Sequence, residues 1–188
     1  LARWRDTRAA LQRIDPATLP PARRADHAVY ANQIDTLLGE MEHGGVLMPM
    51  DGDQAFFSYL PDLWREQPLH SAAQLQAYLG RLAAIPQYFD DHVELLTEAL
   101  QRGLVLPAVV MQGRDAPLWQ MLAAADASAT PYFTPFRQRP AAVSAADFDR
   151  LAEQARHVIG QQVLPAYERL ARFMRDEVQP NARQSTAA

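Results

Sequence analysis

The sequence predicts an all-α protein, an irregular helical bundle with a long, proline-kinked C-terminal helix. Three observations point there. Apolar residues recur at three- and four-residue spacing through most of the chain, and most of the 14 prolines fall where such a stretch begins or ends. Capping patterns also stand ahead of the two clearest stripes, at Ser71 with Gln74 and at Ser144 with Asp147. With 188 residues, 48% of them hydrophobic, the chain can bury one ordinary core. A single helical domain is expected over residues 1–180, followed by a polar tail at 181–188.

Trp4, Leu11 and Ile14 share one face of a first helix, which Pro16 and the Pro20-Pro21 pair stop. A second helix over residues 22–43 turns Val29, Ile34, Leu37, Leu38 and Met41 toward a core and ends at Gly44-Gly45. Residues 46–68 are broken by Gly52, Pro61 and Pro68, yet Phe56, Phe57, Tyr59, Leu60, Leu63 and Trp64 are too apolar for a solvated linker. Short packed helices are expected. From Ser71 a helix carries Leu75, Tyr78, Leu79 and Leu82. Pro86 then suits the first turn of the next, which carries Phe89, Val93, Leu96 and Leu100 and closes at Gly103. The two should form a tight hairpin or a sharp kink. Residues 106–126 read as another helix weakened by Gly113 and Pro117, and 127–142, with Pro131, Pro135 and Pro140, as extended. The last helix, about 144–178, aligns Phe148, Leu151, Ala155, Val158, Ile159, Tyr167, Leu170 and Met174, and Pro165 predicts a kink near Gln161.

Composition excludes several kinds of chemistry. All 18 basic residues are arginine, so a P-loop lysine, a Schiff base and a lysine general base are ruled out. The absence of cysteine removes thiol nucleophiles, thiolate zinc sites and disulfides. A net charge of -4 repels a phosphate backbone, which argues against nucleic acid. The best apolar run, 104–111, contains Pro107 and falls far short of the ~20 residues of a membrane span. The chain opens at Leu1 without a signal-peptide layout, so an upstream segment is expected to have been removed. Abundant arginine and alanine without lysine suggest a GC-rich bacterial source. Whether the compartment is periplasmic or cytoplasmic is not written in these residues.

The short motifs are each incomplete. Glu40 and His43 form a Glu-x-x-His pair, but a carboxylate-bridged metal bundle needs a second one. Glu153 and His157 are neighbours across one turn and lack a third ligand. His92-Val93-Glu94 resembles half of a zinc deaminase signature whose other half requires cysteines. Asp51 and Asp53 beside Gly52 would open a calcium loop, but the twelfth position is Asp62 and Phe56-Phe57 intervene. Ser58, Ser71, Ser128, Ser144 and Ser185 lie in no nucleophile elbow. Arg137 and Arg139 flank an aromatic, proline-rich segment with Tyr132, Phe133 and Phe136, which packs on the bundle or contacts a peptide or anion. No catalytic, cofactor-binding or metal-ligating residue is therefore assigned.

Four stretches, in order along the chain, carry a family resemblance. They are Arg13-Ile-Asp-Pro-Ala-Thr-Leu19 with Ala25-Asp-His-Ala-Val-Tyr30; Tyr78-Leu-Gly-Arg-Leu-Ala-Ala-Ile-Pro86; Leu100-Gln-Arg-Gly-Leu-Val-Leu-Pro107; and Tyr132-Phe-Thr-Pro-Phe136 leading to Val163-Leu-Pro-Ala-Tyr-Glu-Arg-Leu170 and Pro180-Asn-Ala-Arg183. Together they resemble the N-terminal portion of the bacterial domain-of-unknown-function family 885, whose members look like zinc-dependent metallopeptidases. The resemblance implies zinc for the parent family, held on a His-Glu-x-x-His helix that lies beyond the part resembled here. None of His27, His43, His70, His92 or His157 is followed by glutamate, so no cofactor is expected in this chain. The chain would then be the helical part of a peptidase-like protein, walling its substrate cleft and packing on the catalytic portion. The alternative is a self-standing helical module that binds a protein or peptide through an apolar groove. A peptide substrate and a homodimer are the remaining partners considered. If the chain is such a part, apolar surface should be exposed over 56–64 and 75–100.

Overall fold

Serine caps start two of the α-helices, and prolines stand in the first turn of three others. The computed structural model describes residues 1–50 and 55–186. Among these are seven α-helices and no strand, with only two isolated bridges, Met50–Ala55 and Pro107–Arg183. The chain forms two compact units, residues 1–48 and 49–188.

The first unit is an antiparallel hairpin of α1 (Ala2–Gln12) and α2 (Pro21–Glu42), joined by a 3-10 turn, Pro16–Thr18. Asp15 caps that turn by accepting from the Ala17 N–H at 2.9 Å. Arg5 reaches Glu42 at 2.8 Å, and Arg8 pairs with Asp35. Apolar burial in the unit is confined to Leu11, Ile34 and Leu47. Val29, expected toward a core, is instead 60% exposed, and Ile14, expected on one face of the first helix, lies past its end and is 43% exposed. A two-helix hairpin has one seam, so an apolar residue off that seam has no third helix in the unit to cover it.

In the second unit, Ser71 starts α3 (Ala72–Gln101) with a complete capping box. Its hydroxyl accepts from the Gln74 N–H at 3.3 Å, and the Gln74 side chain accepts from the Ser71 N–H at 3.1 Å. The end of α3 is a Schellman motif. Gly103 takes φ +69°, its N–H donates to Leu100 O, and the Leu104 N–H donates to Ala99 O at 2.9 Å.

A hairpin or a sharp kink was expected at Pro86; no hairpin forms, and the proline lies inside one continuous helix of 30 residues. Proline in a helix interior loses one hydrogen bond and costs ~3 kcal/mol. The buried stripe Leu75, Tyr78, Leu79, Leu82, Ile85, Phe89 and Leu96 runs through Pro86 without changing phase. Breaking the helix there would expose one half of that stripe, each large side chain of which is worth roughly 1.5–3 kcal/mol.

The region expected as one helix over 106–126 is two short ones, α4 (Ala108–Met111) and α5 (Ala116–Leu122). Gly113, at φ +75°, turns the chain between them. Residues 127–142, expected to be extended, wind into 3-10 helices at Ala127–Ala129 and Pro131–Phe136. The Asp126 carboxylate caps the first by accepting from the Ser128 and Ala129 N–H groups, and Pro131 pre-sets φ for the second. A further 3-10 segment, Leu60–Glu66, packs against Pro131–Phe136.

The C-terminal helical run comprises α6 (Ala145–Val158), a π-helical turn Ile159–Val163, α7 (Leu164–Phe173) and a second π-helical turn Met174–Val178. Each wide turn stands just ahead of a proline. The Leu164 N–H reaches back five residues to Ile159 O before Pro165, and the Gln179 N–H reaches Met174 O before Pro180. A proline has no N–H and its ring crowds the carbonyl four residues back, so the helix widens locally. Where a kink near Gln161 was expected, the helical run holds a π turn, Ile159–Val163. Past Pro180, Ala182 is buried, and the Arg183 backbone pairs with Leu106 and Ala108 at 3.1 and 2.8 Å.

Helix α3 packs on α6 and α7, and α5 packs on α7. Through the middle runs a chain of buried tyrosines. Tyr78 Oη donates to the Tyr132 carbonyl at 3.1 Å, and the Tyr132 and Tyr167 hydroxyls meet at 2.6 Å. The Tyr167 ring stands edge-on to Phe89 at 5.0 Å. The apolar surface expected over 56–64 and 75–100 is mostly interior. Phe56, Phe57 and Leu60 are buried with the stripe of α3, and Tyr59 is the exposed exception. No helix is long and apolar enough among the described residues to cross a membrane.

Ser71→Ala removes the side-chain acceptor of the capping box and is expected to lower stability by about 1 kcal/mol, read as a shift of the urea midpoint with unchanged slope. A second expectation concerns alkaline pH. Burial pushes the hydroxyls of Tyr78, Tyr132 and Tyr167 well above the usual phenol range, and the neighbouring Tyr167 raises Tyr132 further. A folded-state pKa above the unfolded one means stability that is intact below about pH 10 and lost as pH rises. These three phenols should ionise only together with loss of helical circular dichroism. Full tyrosinate absorbance with the helical signal intact would contradict this.

Candidate functional site

Gln76, Leu79, Gly80 and Ala83 follow i, i+3, i+4, i+7 spacing and so occupy one face of α3. Arg150, Glu153, Gln154, His157 and Val158 occupy one face of α6 in the same way. Where the two helices pack, these faces line an open cleft of about 670 Å³. That lies within the roughly 300–1,000 Å³ of ordinary ligand sites. Helix α6 is held in place by its cap. Ser144 Oγ accepts from the Asp147 N–H at 3.1 Å, and Asp147 in the first turn with Arg156 and His157 in the last complements the helix dipole.

The floor of the cleft is Leu79, Gly80, Ala83 and Val158, and the rest of the lining is polar. A Cβ added at Gly80 would meet nothing within 4 Å among the described residues, so no packing among them accounts for a glycine in mid-helix. Glu153 is paired with Arg156 at 2.8 Å, and Arg156 also lies over the Phe133 ring at 5.0 Å. Arg150 contacts Asp147 at 3.3 Å. The Ser144 hydroxyl, and then Arg150, hold the Asp147 carboxyl below the usual carboxylate range. Gln76, Gln154 and His157 make no side-chain hydrogen bond or ion pair with the described residues. The arrangement provides an apolar floor and polar groups able to bind, with no nucleophile–base pair.

The motifs singled out in the sequence fall mostly into structural roles. His43 Nδ1 sits 2.8 Å from Gly39 O at the end of α2. His92 stacks on Phe56 at 4.1 Å, with Nδ1 2.7 Å from Tyr88 O. Arg137 donates to Ser128 O, and Arg139 to Val143 O, while Tyr132, Phe133 and Phe136 are buried, so that segment is a packed layer. Ser71 and Ser144 are caps, and Ser58 Oγ accepts from the Ala55 N–H. Asp51 and Asp53 lie outside the described residues. Among the described residues no three His, Asp or Glu side chains converge in a way that could hold a metal ion. Glu153 and His157 do line the cleft. Gln76, Gly80, Ala83 and Gln154 were not signalled by any motif. A mid-helix glycine with no turn to make was the one available sign.

Comparison with known proteins gives a single family. The model for bacterial proteins of unknown function, DUF885, matches residues 1–188. The chain belongs to that family. No curated protein and no solved structure matches it.

Gly80→Ala places a methyl group in open space on an α-helix. It is expected to raise stability by about 0.5–1 kcal/mol through helix propensity and a more restricted unfolded chain. A destabilisation on chemical denaturation would show that the cleft is filled from within the chain.

Proposed function

We propose that this chain is the N-terminal helical part of a zinc metallopeptidase-like protein and helps to wall its substrate cleft. The observation that carries this reading is the family match along all 188 residues, together with the ordered stretches that resemble the N-terminal portion of such proteins. The five histidines do not fit zinc. Each lacks a following glutamate, and no three-ligand group is assembled among the described residues. The metal chemistry is accordingly assigned to sequence beyond these residues, and the role of this chain is to position substrate. A second reading, a helical module that binds peptides without catalysis, is favoured by the α3–α6 cleft itself.

The test compares this chain with the product of the whole gene from which it comes. The whole product should carry His-Glu-x-x-His, contain stoichiometric zinc by elemental analysis, and hydrolyse peptides until a chelator is added. The 188-residue chain alone should do none of these. A whole product without that motif and without zinc would reject the peptidase reading and leave the binding module.

A further inference from the structure

We propose that residues 180–184 are a latch that holds down a flap, residues 103–113, and that latch and flap open together while the bundle stays folded.

The flap is bounded by two left-handed glycines, Gly103 at φ +69° and Gly113 at φ +75°. A Cβ at either would meet nothing within 4 Å among the described residues, so the turn, and not packing, calls for glycine. Between them the main chain is short of outside support. Val105 donates to Gly103 O, Val110 and Met111 donate to Pro107 O, and Gln112 donates to Ala108 O, all inside the segment. Among the described residues, the backbone of 105–112 reaches beyond 103–114 through two hydrogen bonds only, and both go to Arg183. The Arg183 N–H donates to Leu106 O at 3.1 Å, and the Ala108 N–H donates to Arg183 O at 2.8 Å.

The latch starts from a firmer anchor. Pro180 stops the helical run, the Asn181 side chain donates to Glu177 O at 2.7 Å, and the Ala182 N–H donates to Gln179 O at 3.2 Å. The segment therefore leaves the helix end in a fixed direction. Ala182 is then buried, and Arg183 forms a parallel bridge with Pro107. The Ala108 N–H is an orphan donor in the first turn of α4, a helix of four residues, and Arg183 O serves as its cap. Core lies beneath the flap, since Met111 is buried and Leu106 and Ala108 pack against the same cluster.

Two hinges and few outside bonds make 103–113 a unit of low local stability. Release of Arg183 breaks both outside bonds at once, so the two segments open as one and Met111 is uncovered.

Native-state hydrogen exchange of the 188-residue chain tests this, with dilute hydrogen peroxide as a second probe. The amides of Ala108 and Arg183 should exchange through one opening, with equal protection, and well ahead of those of Leu82 and Phe89 in α3. Ending the chain at Pro180 removes both bonds and should speed exchange over 105–112 by about tenfold or more. It should also let peroxide oxidise Met111, while Met174, buried in the helical run, stays protected. Ending the chain at Gln184, past the latch, should change neither. Arg183→Pro in the full chain lacks the N–H given to Leu106 and should fall between. Unchanged exchange over 105–112 in the chain ending at Pro180, or unequal protection of Ala108 and Arg183 in the intact chain, overturns the proposal. Loss of protection in α3 and α6 to the same degree also overturns it, because residues 181–188 would then belong to the global fold.

Discussion

Three tyrosines bind the second unit together. Tyr78 belongs to α3, Tyr132 to the 3-10 segment after α5, and Tyr167 to α7, and one run of hydrogen bonds passes through all three. A buried hydroxyl without a partner costs roughly 1–3 kcal/mol, so each element must bring its oxygen to the right place for the others to remain satisfied. The tyrosine chain ties α3 to α7 through the Pro131–Phe136 segment, and α3 also supplies four of the residues that line the α3–α6 cleft.

Much of this architecture was legible from local chemistry. Ser71 with Gln74, and Ser144 with Asp147, announce helix starts because orphan N–H groups must be met nearby in sequence. Gly103 announces an end for the same local reason. Pro86 misled because its effect is not local. The apolar residues on both sides of it share one stripe, and the burial of that stripe outweighs the lost hydrogen bond. The spacing Leu82, Ile85, Phe89 is continuous across the proline. Residues 127–142 misled in the opposite sense, since Pro131 and Pro135 suit a 3-10 turn as well as an extended chain and only burial of Tyr132, Phe133 and Phe136 selects between them.

The cleft was not legible, and the reason is physical. Motifs announce catalysis because bond-making requires particular side chains at fixed spacing, whereas binding needs only shape and a few donors. Glutamine, alanine and glycine on a helix face look like solvated surface until a second helix stands beside them. Exposed apolar surface was likewise expected in the wrong place. Phe56 and Phe57 are interior, while five of the seven large exposed apolar side chains among the described residues, Leu1, Ile14, Val29, Tyr30 and Val46, lie in the first unit.

The π turn Ile159–Val163 changes how the C-terminal helical run meets its neighbours. Leu151, Ala155, Ile159, Val163, Tyr167 and Ala171 are all buried and recur every fourth residue. On a regular α-helix each such step overshoots a full turn by about 40°, and within a few turns the stripe would wander off the core. A wide turn accommodates more residues per revolution and cancels part of that drift. The π turn ahead of Pro165 thus acts as a winding correction within that stripe. A homologue lacking Pro165 would need the buried positions of this stripe closer to the 3.6-residue period, so their spacing and the presence of Pro165 should change together.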